Sequence, residues 1–309
     1  MGVSFSINFP IEPFKIIREN SEIFLMGSCF TEHIGTKLNN AGFKTFVNPF
    51  GILFNPVSIT NAIKRIVNKQ VYSIGELIKN QEGRYCSFDH HGFFSNIDKD
   101  KTIDEINVAL LEAHENLKKT ECIIITLGSA WIYRHIGLNK LVANCHKLPN
   151  TEFEKQLLSV DKLVDSIKEA IVHIRTINPN SKIIFTISPV KHLRDGIVEN
   201  QQSKASLIMA LGECLKAKDE NLYYFPAYEI VTDELRDYRF FEADHCHPNQ
   251  LAIDYVWERF TETCFSPKAI EKALDAEKLN KALAHKTLHN VELNENLMQR
   301  INNYLKKYK

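Results

Sequence analysis

Two pairs of residues, far apart in the chain, have the types and spacing of acyl-transfer chemistry. The first is Gly27-Ser28 in EIFLMGSCFTEHIGT, residues 22–36. The apolar run Ile23-Phe24-Leu25-Met26 ends at the glycine, and Ile34 and Leu38 follow at helical spacing behind Thr31, a candidate N-cap. The pattern predicts a buried strand, a tight turn and a helix. A serine in that turn is expected to be exposed at a strand's carboxyl end, near a helix N-terminus whose backbone N–H groups favour negative charge. The second pair is Asp244 and His247 in FEADHCHPN, residues 241–249. An aspartate three residues before a histidine can fix the imidazole tautomer and leave the other ring nitrogen free to face a nucleophile. A helix with Pro248 in its first turn is expected to follow. Each pair alone is commonplace. Together, in the chain order Ser…Asp…His, they fit acyl transfer on an α/β sheet.

The elements that must position these residues are legible as alternating patterns. Residues 122–127 and 182–187 read as buried strands ending in Gly128-Ser129 and Ser188-Pro189, with shorter strands at 222–225 and 44–47. Helices are expected at 57–67, 104–118 and 158–177, from the 190s loop to about 216, and at 248–265, with a short one in 72–80. Strands alternating with helices of this length imply a parallel sheet covered on both faces, with ligands outside the carboxyl ends of its strands. NPFGILFNP (48–56), RYCSFDHHGFFS (84–95) and VANCHKLPN (142–150) read as shaped loops, the second with a short strand. From 267 to 309 the strand pattern stops and Ala, Lys, Leu and Glu dominate. This predicts a catalytic domain over 1–266 and a helical C-terminal extension over 267–309. The extension is either a solvated charged helix pair or a means of packing and oligomerisation.

Composition narrows the partners. Lys+Arg and Asp+Glu both number 38, which gives no charge argument for nucleic acid or an anionic membrane. No apolar run approaches the roughly 20 residues needed to span a bilayer. The first twenty residues lack the pattern of a secretory signal, and Gly2 with Ser6 is a weak myristoylation context. Seven cysteines, irregularly spaced and without a CxxC, point to free thiols in a reducing, cytoplasmic setting.

The motifs also resemble a known family. GSCF at residues 27–30 followed by TEHIG is similar to the signature of the GSCFA family, which is related to the SGNH, or GDSL-like, hydrolases. NPFGILFNP, TLGSAWIY, VANCHKLP and ISPVKHLRDG resemble its internal blocks, and ADHCHPN the block that carries a catalytic Asp and His. The resemblance covers roughly residues 20–265. It implies a three-layer, flavodoxin-like α/β sandwich and ester-bond chemistry without metal or cofactor, with Ser28 as nucleophile, His247 as base and Asp244 as its partner. It also implies an oxyanion hole made by the Ser28 and Gly51 N–H groups. The family pattern Gly-x-Asn reads Gly128-Ser129-Ala130 here, so its asparagine donor is absent. Ser129, Asn55, Asn144 or His146 are the candidate replacements.

Other residues carry two readings. Asp89 and His91 line the cleft or serve as structural hydrogen-bonding groups. Trp131 and Tyr133 form a substrate wall or pack in the core. Lys191, His192 and Arg194 bind an anionic group or sit in a solvated loop. Cys29, beside Ser28, is a rival nucleophile. Successive side chains entering a helix point about 100° apart, so Cys29 is expected to turn into packing. The expected activity is hydrolysis of a small-molecule or saccharide acyl ester. An O-acyltransferase on the same site, a non-catalytic binding protein of the same shape, and a zinc site at His245-Cys246-His247 with Cys145-His146 are the rivals. The zinc reading is disfavoured because adjacent residues rarely chelate one ion.

Overall fold

The structure is a computed structural model that describes residues 7–217, 219–289 and 295–308. Gly2 and Ser6 lie outside the described residues. In chain order the elements are β1 (Glu22–Gly27), α1 (Cys29–Asn40), β2 (Lys44–Val47), α2 (Pro56–Val67), β3 (Ile78–Lys79), β4 (Tyr85–Cys86), α3 (Lys99–Lys119), β5 (Cys122–Leu127), β6 (Trp131–His135), β7 (Lys140–Val142) and β8 (Phe153–Leu157). There follow α4 (Val160–Ile177), β9 (Lys182–Ile187), α5 (Ile197–Leu215), β10 (Leu222–Phe225), α6 (Ala227–Glu229), α7 (Gln250–Cys264), α8 (Pro267–His289) and α9 (Glu295–Tyr308).

Five of these strands form one parallel sheet in the order β10-β9-β5-β1-β2. The run of apolar residues in each central strand serves two cores, because successive side chains leave opposite faces. Phe24 and Met26 of β1, Ile123 and Ile125 of β5, and Ile183 and Phe185 of β9 face the core beneath α2 to α5. Their neighbours Ile23, Leu25, Ile124 and Ile184 face the other core, with Phe30 and Ile34 of α1 and Val256 and Phe260 of α7. The fold is thus a three-layer α/β sandwich. The chain leaves β1 for β2 on one side and later returns to add β5 on the other. The strand order therefore reverses at β1, and the crevice outside its carboxyl end is the place where open α/β sheets bind ligands.

Several local expectations change. Helix α1 starts at Cys29, with Ser28 rather than Thr31 in the N-cap position, because the turn after Gly27 leads straight into helical geometry. Pro248 is not in the first turn of α7. Asn249 caps that helix through its side chain to the Ala252 N–H, and Pro248 pairs with Phe241 instead. Residues 72–80 form a 3-10 turn and the strand β3, which pairs with β4, rather than a helix. The region 131–157, partly read as loop, contains the antiparallel sheet β7-β6-β8. Beyond residue 266, α8 buries Ala269 and Ala276, and the Lys272 ammonium donates to the Glu19 carbonyl at 2.6 Å. Among the described residues no helix is long and apolar enough to cross a membrane.

Candidate active site

Three strand ends and one loop build the floor of the site. Gly27 ends β1 with φ +145°, a backbone conformation that L side chains rarely adopt, and a Cβ there would run into the Thr126 carbonyl of β5. Glycine is therefore required for β1 and β5 to stay paired while the chain turns. The loop after β2 then ties the strand tips together. The Asn48 N–H donates to the Leu25 carbonyl and the Leu53 N–H to the Gly27 carbonyl, both at 2.9 Å. The Asn48 side chain accepts from the Gly27 N–H through Oδ1, also at 2.9 Å. Further along the same loop, the Phe54 carbonyl accepts both the Gly128 N–H (2.7 Å) and the Ser129 N–H (2.9 Å) at the tip of β5.

Ser28 sits at the centre of this weave and is fully buried rather than exposed. Its Oγ has no hydrogen-bond partner, and neither does the Thr31 hydroxyl one turn on. Its own N–H donates to the Thr126 carbonyl at 3.2 Å, and the Gly51 N–H donates to the Asn48 carbonyl at 2.7 Å. The two backbone groups expected to hold an oxyanion are therefore already engaged. Cys29 is half-buried, and burial pushes its thiol pKa up, as expected of a packed thiol rather than a thiolate nucleophile.

Asp244 and His247 come together as their spacing predicts. The Asp244 Oδ2 lies 2.6 Å from His247 Nδ1, while Oδ1 accepts the backbone N–H of Cys246 (2.8 Å) and His247 (3.0 Å). The two N–H donors and the imidazole hold the Asp244 carboxyl well below the usual carboxylate range. Both side chains are half exposed. The turn is anchored at its neighbours. The Lys191 N–H, beyond the end of β9, donates to the Cys246 carbonyl at 3.1 Å, and the Lys191 ammonium lies 3.9 Å from the centre of the Phe241 ring and 4.7 Å from that of Tyr238. Lys191 is thus engaged with the turn itself. The Lys191–Cys246 bond sets the turn beyond the carboxyl end of β9, which runs parallel to β5 and β1.

One buried group beside this edge escaped the reading of the sequence. Lys204 of α5 is 1% exposed, and its ammonium donates to the Gly128 and Ser188 carbonyls, each at 2.7 Å, clasping the tips of β5 and β9. It has no carboxylate partner among the described residues, and burial brings its pKa down to about 7. A lysine in an amphipathic helix carries no signal of such a role; its burial is decided by the packing of α5 on the sheet. His192 stacks edge-on against Phe54, with ring centres 5.1 Å apart, and burial holds it neutral with a pKa of about 4.

The remaining expected residues are committed to scaffold contacts. Asn55 caps α2 by accepting the Ser58 N–H. Ser129 accepts the Trp131 N–H and meets the Ser203 hydroxyl. Asn144 accepts the His146 N–H, and His146 donates to the Ser87 carbonyl at 2.7 Å, so this turn is bonded to the 87–88 loop and not to Ser28. A Cβ on Gly51 would run into the Cβ of His91, which makes His91 a close neighbour of the loop. Asp89 pairs with Lys140 and accepts from the Tyr72 hydroxyl, and the Trp131 indole donates to the Glu199 carbonyl. No group of metal-ligating side chains is formed among the described residues, because Cys145-His146 and His245-Cys246-His247 stand on separate turns with separate partners.

Solved structures similar to this chain include a carbohydrate esterase family 3 protein from Talaromyces cellulolyticus (10% identity, TM-score 0.41, covering 82% of this chain and 99% of that one). A family two carbohydrate esterase from Clostridium thermocellum in complex with cellohexaose is 12% identical, with a TM-score of 0.37 and coverage of 82% and 65%. The periplasmic domain of a lipopolysaccharide acetyltransferase from Salmonella ser. Paratyphi A is 11% identical, with a TM-score of 0.36 and coverage of 79% and 84%. Comparison with curated protein sequences finds no match. The GSCFA family model matches residues 22–260, from the first residue of β1 into α7, and the chain belongs to the GSCFA family.

Proposed function

We propose that this protein is a serine-dependent hydrolase of acyl esters, with O-acetylated saccharides among its substrates. The observation that carries the reading is the 2.6 Å bond between Asp244 and His247 Nδ1. It fixes the imidazole so that Nε2 is the atom presented to a nucleophile, and it stabilises the imidazolium that forms when a proton arrives. Ser28, beyond the end of β1 at the reversal point of the sheet, supplies the nucleophilic hydroxyl. His247 accepts the Ser28 proton as Oγ bonds to the ester carbonyl carbon. The tetrahedral intermediate collapses with His247 protonating the leaving alcohol. Water, deprotonated by His247, then attacks the acyl-serine and releases the acid. No metal enters these steps. The orphaned Ser28 hydroxyl supports the role: a buried hydroxyl without a partner is costly, and such groups persist where function requires them. Because Ser28 is buried, the acyl group reaches it only as side chains over the turn move aside.

The test is hydrolysis of p-nitrophenyl acetate and of acetylated xylo- and cello-oligosaccharides by the full chain, with and without EDTA. Turnover unaffected by chelator and abolished in Ser28→Ala is expected. Equal turnover in that variant would overturn the assignment.

A further inference from the structure

We infer that the Asn48 carboxamide is the oxyanion donor of this site, an inference that rests on the esterase reading above. The two backbone donors expected to serve the reaction carry other hydrogen bonds. The Ser28 and Gly51 N–H groups bond to the Thr126 and Asn48 carbonyls, and the asparagine of the third family block is replaced by the Gly128-Ser129-Ala130 run. Within the same turn stands an amide with a donor and no acceptor. Asn48 is more than nine-tenths buried. Its Oδ1 accepts the Gly27 N–H, and its Nδ2 has no partner. A buried amide left half satisfied is costly, and an apolar residue here would avoid that cost.

The two orphans are complementary. Nδ2 shares one carboxamide carbon with the atom that caps the Gly27 N–H, so it lies beside the Met26–Gly27 peptide, one residue before Ser28. The Ser28 Oγ is an orphan on the next residue. A substrate that places its carbonyl carbon at Oγ places the developing oxyanion within the same turn, where Nδ2 can donate to it. The amide is also preorganised. Asn48 holds φ +47°, a left-handed conformation that asparagine tolerates better than most residues, and its own N–H and carbonyl are fixed by the Leu25 carbonyl and the Gly51 N–H. A rigid donor aimed where charge develops is the arrangement that stabilises an acyl-transfer transition state, because nothing has to reorganise during the reaction.

The test uses two variants that separate the donor from the scaffold. Asn48→Asp keeps an oxygen for the Gly27 N–H and removes the donor; Asn48→Gly keeps the left-handed backbone and removes the whole side chain. Folding is checked by circular dichroism and thermal melting. Turnover is expressed per folded molecule, and affinity is measured for a trifluoromethyl ketone, which adds to serine to form a hemiketal oxyanion. Loss of about 10²–10³ in kcat, with KM within a few-fold and ketone affinity falling in parallel, is expected in both. A purely structural Asn48 would lower the melting temperature without moving kcat per folded molecule or ketone affinity, and that result overturns the inference. A wild-type chain that hydrolyses esters through Ser28 while Asn48→Asp and Asn48→Gly match it overturns the inference alone. A wild-type chain with no Ser28-dependent turnover and no ketone adduct overturns the esterase reading with it.

Discussion

The two halves of the proposed site are built in opposite ways. Ser28 lies in a buried turn whose neighbouring backbone groups reach into β1, β5 and the 48–54 loop, and its position is fixed by these three segments at once. Asp244 and His247 lie in a half-exposed turn held mainly by itself, through three hydrogen bonds to one carboxylate and a left-handed His245 at φ +56°. Lys191 is its principal external anchor. The proposed nucleophile is thus placed by the sheet and the proposed base by a local motif, as expected where the precision of a site is carried by rigid elements and its access by a surface turn. Changes near Ser28 should therefore act on both chemistry and fold, and changes in the 244–247 turn on chemistry alone.

The sharpest break in that contrast is Ser28→Ala. Turnover of p-nitrophenyl acetate should fall by about 10⁴ or more, since loss of a nucleophile disables the whole unit. The variant should also be as stable as the parent or more so, by roughly 1 kcal/mol, because it removes a buried hydroxyl that has no partner. Kinetics and thermal melting on the same sample check both; a marked fall in melting temperature would mean that the hydroxyl has a structural partner.

Asp244→Asn comes next. It removes the acceptor that fixes the tautomer, so kcat should fall by about 10²–10⁴. The melting temperature should barely move, because both side chains are half exposed. Destabilisation comparable to that of a core substitution would show that this turn belongs to the scaffold after all.

Lys204 tests the buried side through pH. Its pKa of about 7 in the folded protein lies below the ordinary lysine value of 10.5. The unfolded chain therefore binds more protons between these limits. The burial penalty is fully present below pH 7 and is relieved as pH rises toward 10.5, by at most about 1.4 kcal/mol for each pH unit. Stability of the parent relative to Lys204→Met, followed by urea unfolding from pH 6 to 10, should rise across that window. A flat difference would mean that Lys204 keeps an ordinary pKa.

Cys29→Ala should have the smallest effect, at most a few-fold in kcat through altered packing beside Ser28. Native alkylation with iodoacetamide should leave turnover largely intact, because burial keeps the thiol protonated. A dead Cys29→Ala beside an active Ser28→Ala would shift the nucleophile one residue along.

Much of this architecture is legible locally. The apolar runs of β1, β5 and β9 announce strands buried on both faces, and the spacing of Asp244 and His247 announces their bond, because both depend on residues within a few positions of each other. The Gly27-Ser28 turn is legible because a glycine and a small polar residue interrupt the apolar run, whereas the Thr126 carbonyl that leaves no room for a side chain at Gly27 belongs to distant β5. Other features depend on distant partners. The sheet β7-β6-β8 is hidden in sequence because its strands are short and weakly alternating, and pairing rather than pattern creates them. The burial of Ser28, the engagement of its N–H by Thr126 and that of Gly51 by Asn48 are decided where the 48–55 loop crosses two strand tips. Lys204 looks like any solvent-facing lysine until α5 packs it under Gly128 and Ser188. The sequence alone determined the candidate residues for the chemistry and the central strands of the sheet. Only the tertiary structure decided which donors remain free for it, because a hydrogen bond to a residue far along the chain leaves no trace in the spacing of either partner.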